Sequence, residues 1–417
     1  MLMRPATLAA AVTLSSFSGA ALAAGQPADE LLKRAEAERP DYLTTLEDLV
    51  SVDTGTGQEA GLSKVRDLLV EHLKGLGAEV EVTPASPSIG SNVVGTLKGS
   101  GEAKFLLMVH YDTVFGPGTA AERPFRVDGQ RAYGPGVADA KGGIAMILHS
   151  LKLLRDQDFD RFGTVTVLFN PDEEMGSGGS KKMISDMARQ QDYVFSYEPP
   201  DKDAVTTATN GINTVFLDVK GRASHAGSAP EEGRNAVIEL AHQLVRLQDL
   251  GDPAKGTTVN WTVARGGDKR NIIPASAAAE GDMRYSDLSE YERVLADGKR
   301  LIQEKLVPDT EVEFHVEKGR PPLARNQGSD QLADLAGDLY ARIGRSIEPI
   351  AMRFGTDAGY AYVPGRAKPA VLETMGVVGA GLHSLEEYIE LSSIAPRLYL
   401  TVSMIMNLSE NRQSKME

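Results

Sequence analysis

His110 and Asp112 stand two residues apart at the end of an apolar run, Phe105-Leu-Leu-Met-Val109. In an extended segment, residues two apart point to the same side, so Asp112 can accept a hydrogen bond from one ring nitrogen of His110. The other nitrogen is then free to bind a metal. A buried histidine satisfied by a neighbouring acid explains that pair equally well when it is taken alone. The same kind of ending recurs, however. Thr164–Phe169 runs into Asn170-Pro-Asp172-Glu173-Glu174, and Tyr193–Phe195 runs into Ser196-Tyr-Glu198. Asp139 follows the glycine-rich Gly134-Pro-Gly136 and precedes an apolar helical pattern, where a helix N-cap is its structural alternative. His383 lies on Gly379-Ala-Gly-Leu-His383, before the last helical pattern. Separate structural causes for each ending would be a set of coincidences, whereas one shared site at a sheet edge needs one cause.

His110, Asp139, Glu173, Glu174, Glu198 and His383 form a nitrogen and oxygen donor set. The chain has no cysteine, which excludes thiolate-held zinc, nucleophilic cysteines and disulfides. Zinc suits the set, and cobalt or manganese could substitute. One catalytic zinc needs three protein ligands and an open position, so this many donors points to two ions. A carboxylate between two ions can bridge them at ~3.5–4 Å, and Asp139 is the candidate bridge. Adjacent residues cannot easily present both carboxylates to one ion. One member of Glu173-Glu174 therefore ligates while the other faces the substrate, where a free carboxylate can act as general base. A serine nucleophile is disfavoured, because Gly176-Ser177-Gly178 lacks the spacing of a nucleophile elbow.

These residues require parallel strands buried on both faces, with their carboxyl ends side by side; ligands collect at such ends in α/β sheets. Helical patterns are expected at Asp29–Ala37, Leu43–Val50, Gly61–Leu76 and Ile144–Leu154, with strands at Ala78–Val82 and Asn92–Leu97. Phe115 to Tyr133 is rich in Gly and Pro, and no regular structure is expected there. From Asn213 the pattern changes to β-α-β-β-α-β, the split ferredoxin-like unit. The domain plan is a catalytic part at 24–212, an insertion at 213–322 and a return to the catalytic part at 323–417.

Length and composition fit a globular chain of two domains: 417 residues, 41% hydrophobic and 24% charged. A formal net charge of −14 argues against nucleic acid or an anionic membrane surface as partner. Residues 1–23 read as a secretory signal: Arg4, a small-residue apolar run, and Ala21-Leu-Ala23 at the cleavage position. The mature chain is thus expected to be periplasmic or secreted.

His110-Tyr-Asp112, Asp139-Ala-Lys-Gly142, Asp172-Glu-Glu174, Glu198-Pro199 and Gly221-Arg-Ala-Ser-His225-Ala-Gly227 together resemble the co-catalytic zinc exopeptidases and amidohydrolases. Tyr133-Gly-Pro-Gly136, Asn260-Trp-Thr262 and Asn271-Ile-Ile-Pro274 are most similar to the bacterial glutamate carboxypeptidase branch. The resemblance implies an α/β catalytic domain with a mixed sheet flanked by helices, plus an inserted ferredoxin-like dimerisation or lid domain. It assigns His110 and Glu198 to one zinc, Glu174 and His383 to the other, and Asp139 to both. Asp112 would orient His110, and Glu173 would be the base. His225 would polarise the scissile carbonyl in a neighbouring subunit's site, with Asn271 and Arg284 holding the substrate carboxylate. The implied reaction is hydrolysis of the amide bond to a C-terminal amino acid. Glutamate from folate-like or N-acyl compounds is the first expectation, and other N-acyl amino acids or dipeptides are the alternative. A periplasmic amino-acid or peptide-binding protein is the non-enzyme alternative. The chain departs from the branch at Leu385, at the shorter Pro199–Ala204 stretch and at Arg353-Phe-Gly355-Thr-Asp357, and the last two could line the substrate pocket.

Overall fold

The computed structural model describes residues 25–413. The expected signal, residues 1–23, lies outside them. Among the described residues no helix is long and apolar enough to cross a membrane.

The chain opens with α1 (Gly25–Val50) and α2 (Glu59–Gly75), then β1 (Glu79–Pro84), β2 (Ser91–Lys98) and β3 (Lys104–His110). After α3 (Lys141–Arg155) come β4 (Thr164–Asn170), α4 (Lys181–Ala188) and β5 (Tyr193–Ser196). The insertion supplies β6 (Gly211–Lys220), α5 (Ala236–Arg246), β7 (Thr258–Gly266), β8 (Ser276–Tyr285), α6 (Leu288–Leu301) and β9 (Glu311–Arg320). The chain returns through α7 (Gln327–Ala341), β10 (Ala370–Leu372) and α8 (Ile394–Gln413).

The main sheet runs β1-β2-β4-β3-β5-β10. Its centre is parallel, and β1 and β2 add antiparallel at one edge. Side-chain alternation explains the continuous apolar runs. Phe105, Leu107 and Val109 enter the core with α1, α3 and α8, while Leu106 and Met108 pack under Ile184, Ala188 and Ala358 on the opposite face. The register places His110 opposite Asn170 and Met108 opposite Ser196, so three strands end at one level.

The insertion forms its own sheet, ordered β7-β8-β6-β9 and antiparallel throughout. That is the order of the split ferredoxin-like unit. Its core lies under the two helices, with Val215, Leu217, Leu240, Met283, Val294 and Phe314. The sheet spans Gly211 to Arg320, against the expected 213–322.

Two local expectations are corrected. Asp29–Ala37 and Leu43–Val50 belong to one helix that runs through Pro40. Burial of Leu31, Ala35, Tyr42, Leu46 and Leu49 on one stripe outweighs the lost hydrogen bond. Phe115–Tyr133 is not devoid of regular structure. It holds a helical turn at Thr119–Glu122 and short strands at Arg126–Asp128 and Arg131–Tyr133. The two strands pair with each other, and Arg131–Tyr133 also pairs with Tyr388–Glu390, more than 250 positions further along the chain, which no local pattern announces.

On the far side of α1, Glu38 accepts from His149 Nδ1 at 2.6 Å and from Lys152 at 2.5 Å. Burial opposes its ionisation, but these two partners prevail and hold the carboxyl below its ordinary value of 4.5. The unfolded chain therefore takes up this proton more readily than the folded one, and stability must fall as pH drops through and below 4.5. Urea midpoints measured from pH 6 downward should show this decline, with Glu38→Gln flattening part of it; an unchanged slope in the variant would remove Glu38 as its source.

Candidate metal and substrate site

The site lies at the carboxyl ends of β3, β4 and β5. His110 is buried, and its Nδ1 donates to the backbone carbonyl of Asp112 at 3.0 Å. That bond fixes the tautomer and leaves the Nε2 lone pair facing two carboxylates, Asp139 Oδ1 at 3.1 Å and Glu198 Oε1 at 3.4 Å. A lone pair against carboxylate oxygens is repulsive unless a proton or a metal stands between them. The second half repeats the motif: His383 Nε2 is 3.2 Å from Asp139 Oδ2 and 3.3 Å from Glu174 Oε2. Asp139 thus turns one oxygen to each imidazole. Its backbone precedes α3 but its side chain caps nothing, because Ala140 holds the N-cap position. Donor atoms of His110, Asp139 and Glu174 all lie within 4.8 Å of one another, and Glu174 Oε1 is buried with no hydrogen-bond partner. These features fit a cation-binding centre of two halves sharing Asp139.

The electrostatics state the same demand. Burial works against the His110 cation, yet the Glu198 charge and bonds to Asp112, Asp139 and Glu198 carry its pKa well above the ordinary 6.5. Bonds to Asp139 and Glu174 raise His383 to about 10. Burial pushes Glu198 up to about 7. The pocket holds more negative charge than it can stabilise, and a proton on each histidine stands where a metal would satisfy it better.

Asp112 has a wider task than the expected one. Its Oδ1 lies 3.3 Å from His110 Nδ1 and accepts from the Glu173 N–H at 3.0 Å. Its Oδ2 accepts from the Glu174 N–H at 3.2 Å and from Thr56 at 2.7 Å. One buried carboxylate therefore sets the histidine and the acidic turn together. Glycine allows the close packing below: a Cβ at Gly143 would fall 2.2 Å from the Tyr197 carbonyl beside Glu198.

Glu173 and Glu174 diverge, as adjacent carboxylates on a tight turn must. Glu174 faces His383, whereas Glu173 meets Arg320 Nη2 at 2.7 Å. Arg320 also donates to the Glu173 backbone carbonyl and, at 3.4 Å, to Gly355. Its Nε is buried without a hydrogen bond, 4.0 Å from Asp357 Oδ1. Asp357 is held in turn by Asn170 at 2.7 Å and by Ser177. Burial lifts the Glu173 carboxyl well above its usual range, against the opposing charges of Arg320 and His110.

A cavity of about 390 Å³ opens beside the cluster, lined by Asp139, Glu173, Glu174, Glu198, Arg320 and His383 together with Pro199, Ile212, Phe354, Gly355, Thr356 and Leu382. His225, Asn271 and Arg284 do not line it. His225 is exposed on the insertion, its Nδ1 accepting from the N–H groups of Gly227 and Ser228 at 3.1 and 3.0 Å, which leaves Nε2 as the outward donor. Asn271 lies next to it, its carbonyl accepting from Ala226 at 3.0 Å. Arg284 is bound to Asp282 at 2.9 Å. Within one chain the structure gathers the five expected ligands with Asp112 and Glu173, and keeps the three insertion residues apart from them.

Sequence reasoning passed over Arg320 and Glu387, and met Asp357 only as the end of a stretch that could line the substrate pocket. Glu387 is fully buried and accepts from the N–H groups of Gly136, Ala138 and Asp139 at 2.9, 2.8 and 2.9 Å. It shapes the loop that presents Asp139. The signal was an acid four residues after His383, in a chain whose other strand-end acids had already been assigned.

Residues 106–407 match the model of peptidase family M20/M25/M40. The chain is 40% identical over 419 residues to Carboxypeptidase G2 of Pseudomonas sp. (strain RS-16), covering 98% of this chain and all of that one. It is 27% identical over 375 residues to a succinyl-diaminopimelate desuccinylase of Gluconacetobacter diazotrophicus, covering 84% and 93% of the two chains. Among solved structures, aminopeptidase PepT of Bacillus cereus superposes with a TM-score of 0.75 at 22% identity, covering 88% of this chain and 98% of that one. An M20 family metallo-carboxypeptidase of Sulfolobus solfataricus does so with a TM-score of 0.67 at 16% identity, covering 87% and 98%.

Replacing Glu387 by Ala leaves three loop N–H groups without their acceptor and frees the Asp139 loop. Metal affinity measured by calorimetric titration should fall by about 10–100-fold, the usual effect of losing a residue that orients a ligand. Unchanged affinity would show that the loop holds its shape without Glu387.

Proposed function

Because the chain belongs to peptidase family M20/M25/M40, we propose that it is a metallocarboxypeptidase that hydrolyses the amide bond to a C-terminal amino acid, with two zinc ions as its native cofactor. The observation that carries this reading is the shared Asp139 carboxylate between His110 and His383, with Glu173 set beside it and turned to the cavity. Bound at the two halves, the ions would polarise the scissile carbonyl and ease deprotonation of the attacking water. His110 and Glu198 would hold one, Glu174 and His383 the other.

Glu173 supplies the proton transfers. Its buried carboxylate holds a proton more firmly than an exposed glutamate, so it can take one from water and later deliver it to the leaving amine. A protein that only bound amino acids or peptides would have no use for such a group. Arg320, the one arginine lining the cavity, fits the substrate's terminal carboxylate through its planar donor fork. The sequence assigned that contact to Asn271 and Arg284. Both, with His225, belong to the insertion and would reach a site only by closure or from a second chain. We favour a homodimer through the insertion, with His225 donating to the carbonyl oxygen in the partner's site. The leader at residues 1–23 supports export to the periplasm, which N-terminal sequencing of the mature protein would test. Of the two substrate expectations, glutamate conjugates and other N-acyl amino acids or dipeptides, the apolar walls of the cavity favour the second.

Glu173→Gln should retain both metals, as measured by elemental analysis, and lose turnover by about 10²–10⁴-fold. Loss of metal in step with activity would make Glu173 a ligand instead. Chelation of the parent enzyme should abolish activity, and zinc should restore it.

The trans role of His225 is tested by mixing chains. His225→Ala alone should lose about 10²–10³ in kcat, as for an oxyanion donor. Mixed dimers of His225→Ala with Glu173→Gln should recover activity, because one hybrid site is intact. Tagged, co-purified mixed dimers that stay inactive would refute donation between chains.

A further inference from the structure

The cavity has two unlike sides. One carries the metal-ligand cluster, and the other is formed by Pro199, Ile212, Phe354 and Leu382. The apolar side is a built wall. Asn210, just before β6, donates to the Phe354 carbonyl at 3.2 Å. Ile212 packs so closely over Gly355 that a Cβ there would lie 3.0 Å from Ile212 Cδ1. Phe354 is 43% exposed although it lines a cavity, an aromatic face without an internal partner. Two further apolar side chains are left in solvent next to ligands in the sequence: Met175 after Glu174, 78% exposed, and Leu385 after His383-Ser384, 60% exposed. Neither of these two lines the cavity; the wall of Pro199, Ile212, Phe354 and Leu382 does, and an apolar wall opposite polar groups marks what a cavity binds.

Charge counting points the same way. Apart from His383, which sits among the ligands, Arg320 is the only basic side chain lining the cavity, and Glu173 and Asp357 already flank it. It can receive one carboxylate, the substrate's terminus. Arg353, next to Phe354 in sequence, is exposed and does not line the cavity. Within one chain, a glutamate substrate would bring a second carboxylate against an apolar wall where no further cation lines the cavity, and an unpaired buried charge is costly. An apolar side chain there meets surfaces of its own kind.

We propose that this cavity selects substrates with an apolar or aromatic C-terminal residue over those ending in glutamate, and that Ile212, Phe354 and Leu382 decide the choice. The proposal rests on the reading that the enzyme removes C-terminal amino acids. Its substrates are then N-acyl or peptidyl conjugates of residues such as leucine and phenylalanine.

The test is kcat/KM of the zinc-loaded full chain on N-benzoyl-phenylalanine, N-benzoyl-leucine and N-benzoyl-glutamate, which share one acyl group. The apolar substrates should lead by at least ~10-fold, since even one methylene in an apolar pocket discriminates by about 10–200-fold. Phe354→Lys, which sets a cation at the mouth, should raise the glutamate rate and lower the phenylalanine rate, while Phe354→Ala should lower the phenylalanine rate more than the glutamate rate. If the parent prefers glutamate, the proposal fails and the carboxypeptidase reading stands. If the zinc-loaded enzyme cleaves none of the three, both fail. If Phe354→Lys leaves the ratio unchanged, Phe354 does not decide the choice and that assignment falls.

Discussion

One aspartate shared by two imidazoles is the constraint from which this site follows. Asp139 turns an oxygen to His110 and the other to His383, while Glu198 and Glu174 crowd the outer sides. So much buried negative charge cannot persist without cations. The surrounding fold serves to hold that arrangement in place. Parallel pairing of β3 with β4 and β5 brings His110, the acidic turn and Glu198 to one level. Glu387 shapes the loop beneath Asp139, and Asp112 ties the acidic turn to His110. His110 and Asp139 are each fixed by a further buried carboxylate, Asp112 and Glu387, which is how candidate metal-binding groups are oriented before an ion arrives.

Arg320 joins the insertion to this centre. It closes β9, the last strand of the insertion, yet its guanidinium lies on Glu173 and near Asp357 in the catalytic domain. Any shift of the insertion relative to the main sheet must therefore move the group that neutralises Glu173. A substrate carboxylate arriving at Arg320 would compete with Glu173 for the same donors and release it towards the reacting amide. On the proposed reading, binding and base activation would be linked through this one side chain.

The clustering of these residues was legible because each ends a strongly patterned segment: apolar runs stopping in His110, Asp172-Glu-Glu174 and Glu198, and glycine-rich loops carrying Asp139 and His383. The inserted sheet was legible for the same reason, since its strands alternate and its helices are amphipathic. What stayed hidden depends on partners distant in sequence. Glu387 matters through amides about 250 positions earlier, and Arg320 through Glu173, 147 positions away. Of the three-residue strands near Tyr133, Arg131–Tyr133 is held by Tyr388–Glu390 and in turn pairs with Arg126–Asp128. Helix α1 passes Pro40 because of the tertiary burial of its apolar stripe, which outweighs local propensity. The insertion residues His225, Asn271 and Arg284 do not line the cavity within one chain.

The shared carboxylate is most directly tested by locating the metals. Anomalous diffraction at the zinc edge from crystals of the loaded enzyme should show two peaks separated by ~3.5–4 Å, each within bonding distance of a different oxygen of Asp139. One ion would lie on His110 and Glu198, the other on Glu174 and His383. A single fully occupied ion, or two ions with Asp139 bound to only one of them, would contradict the account.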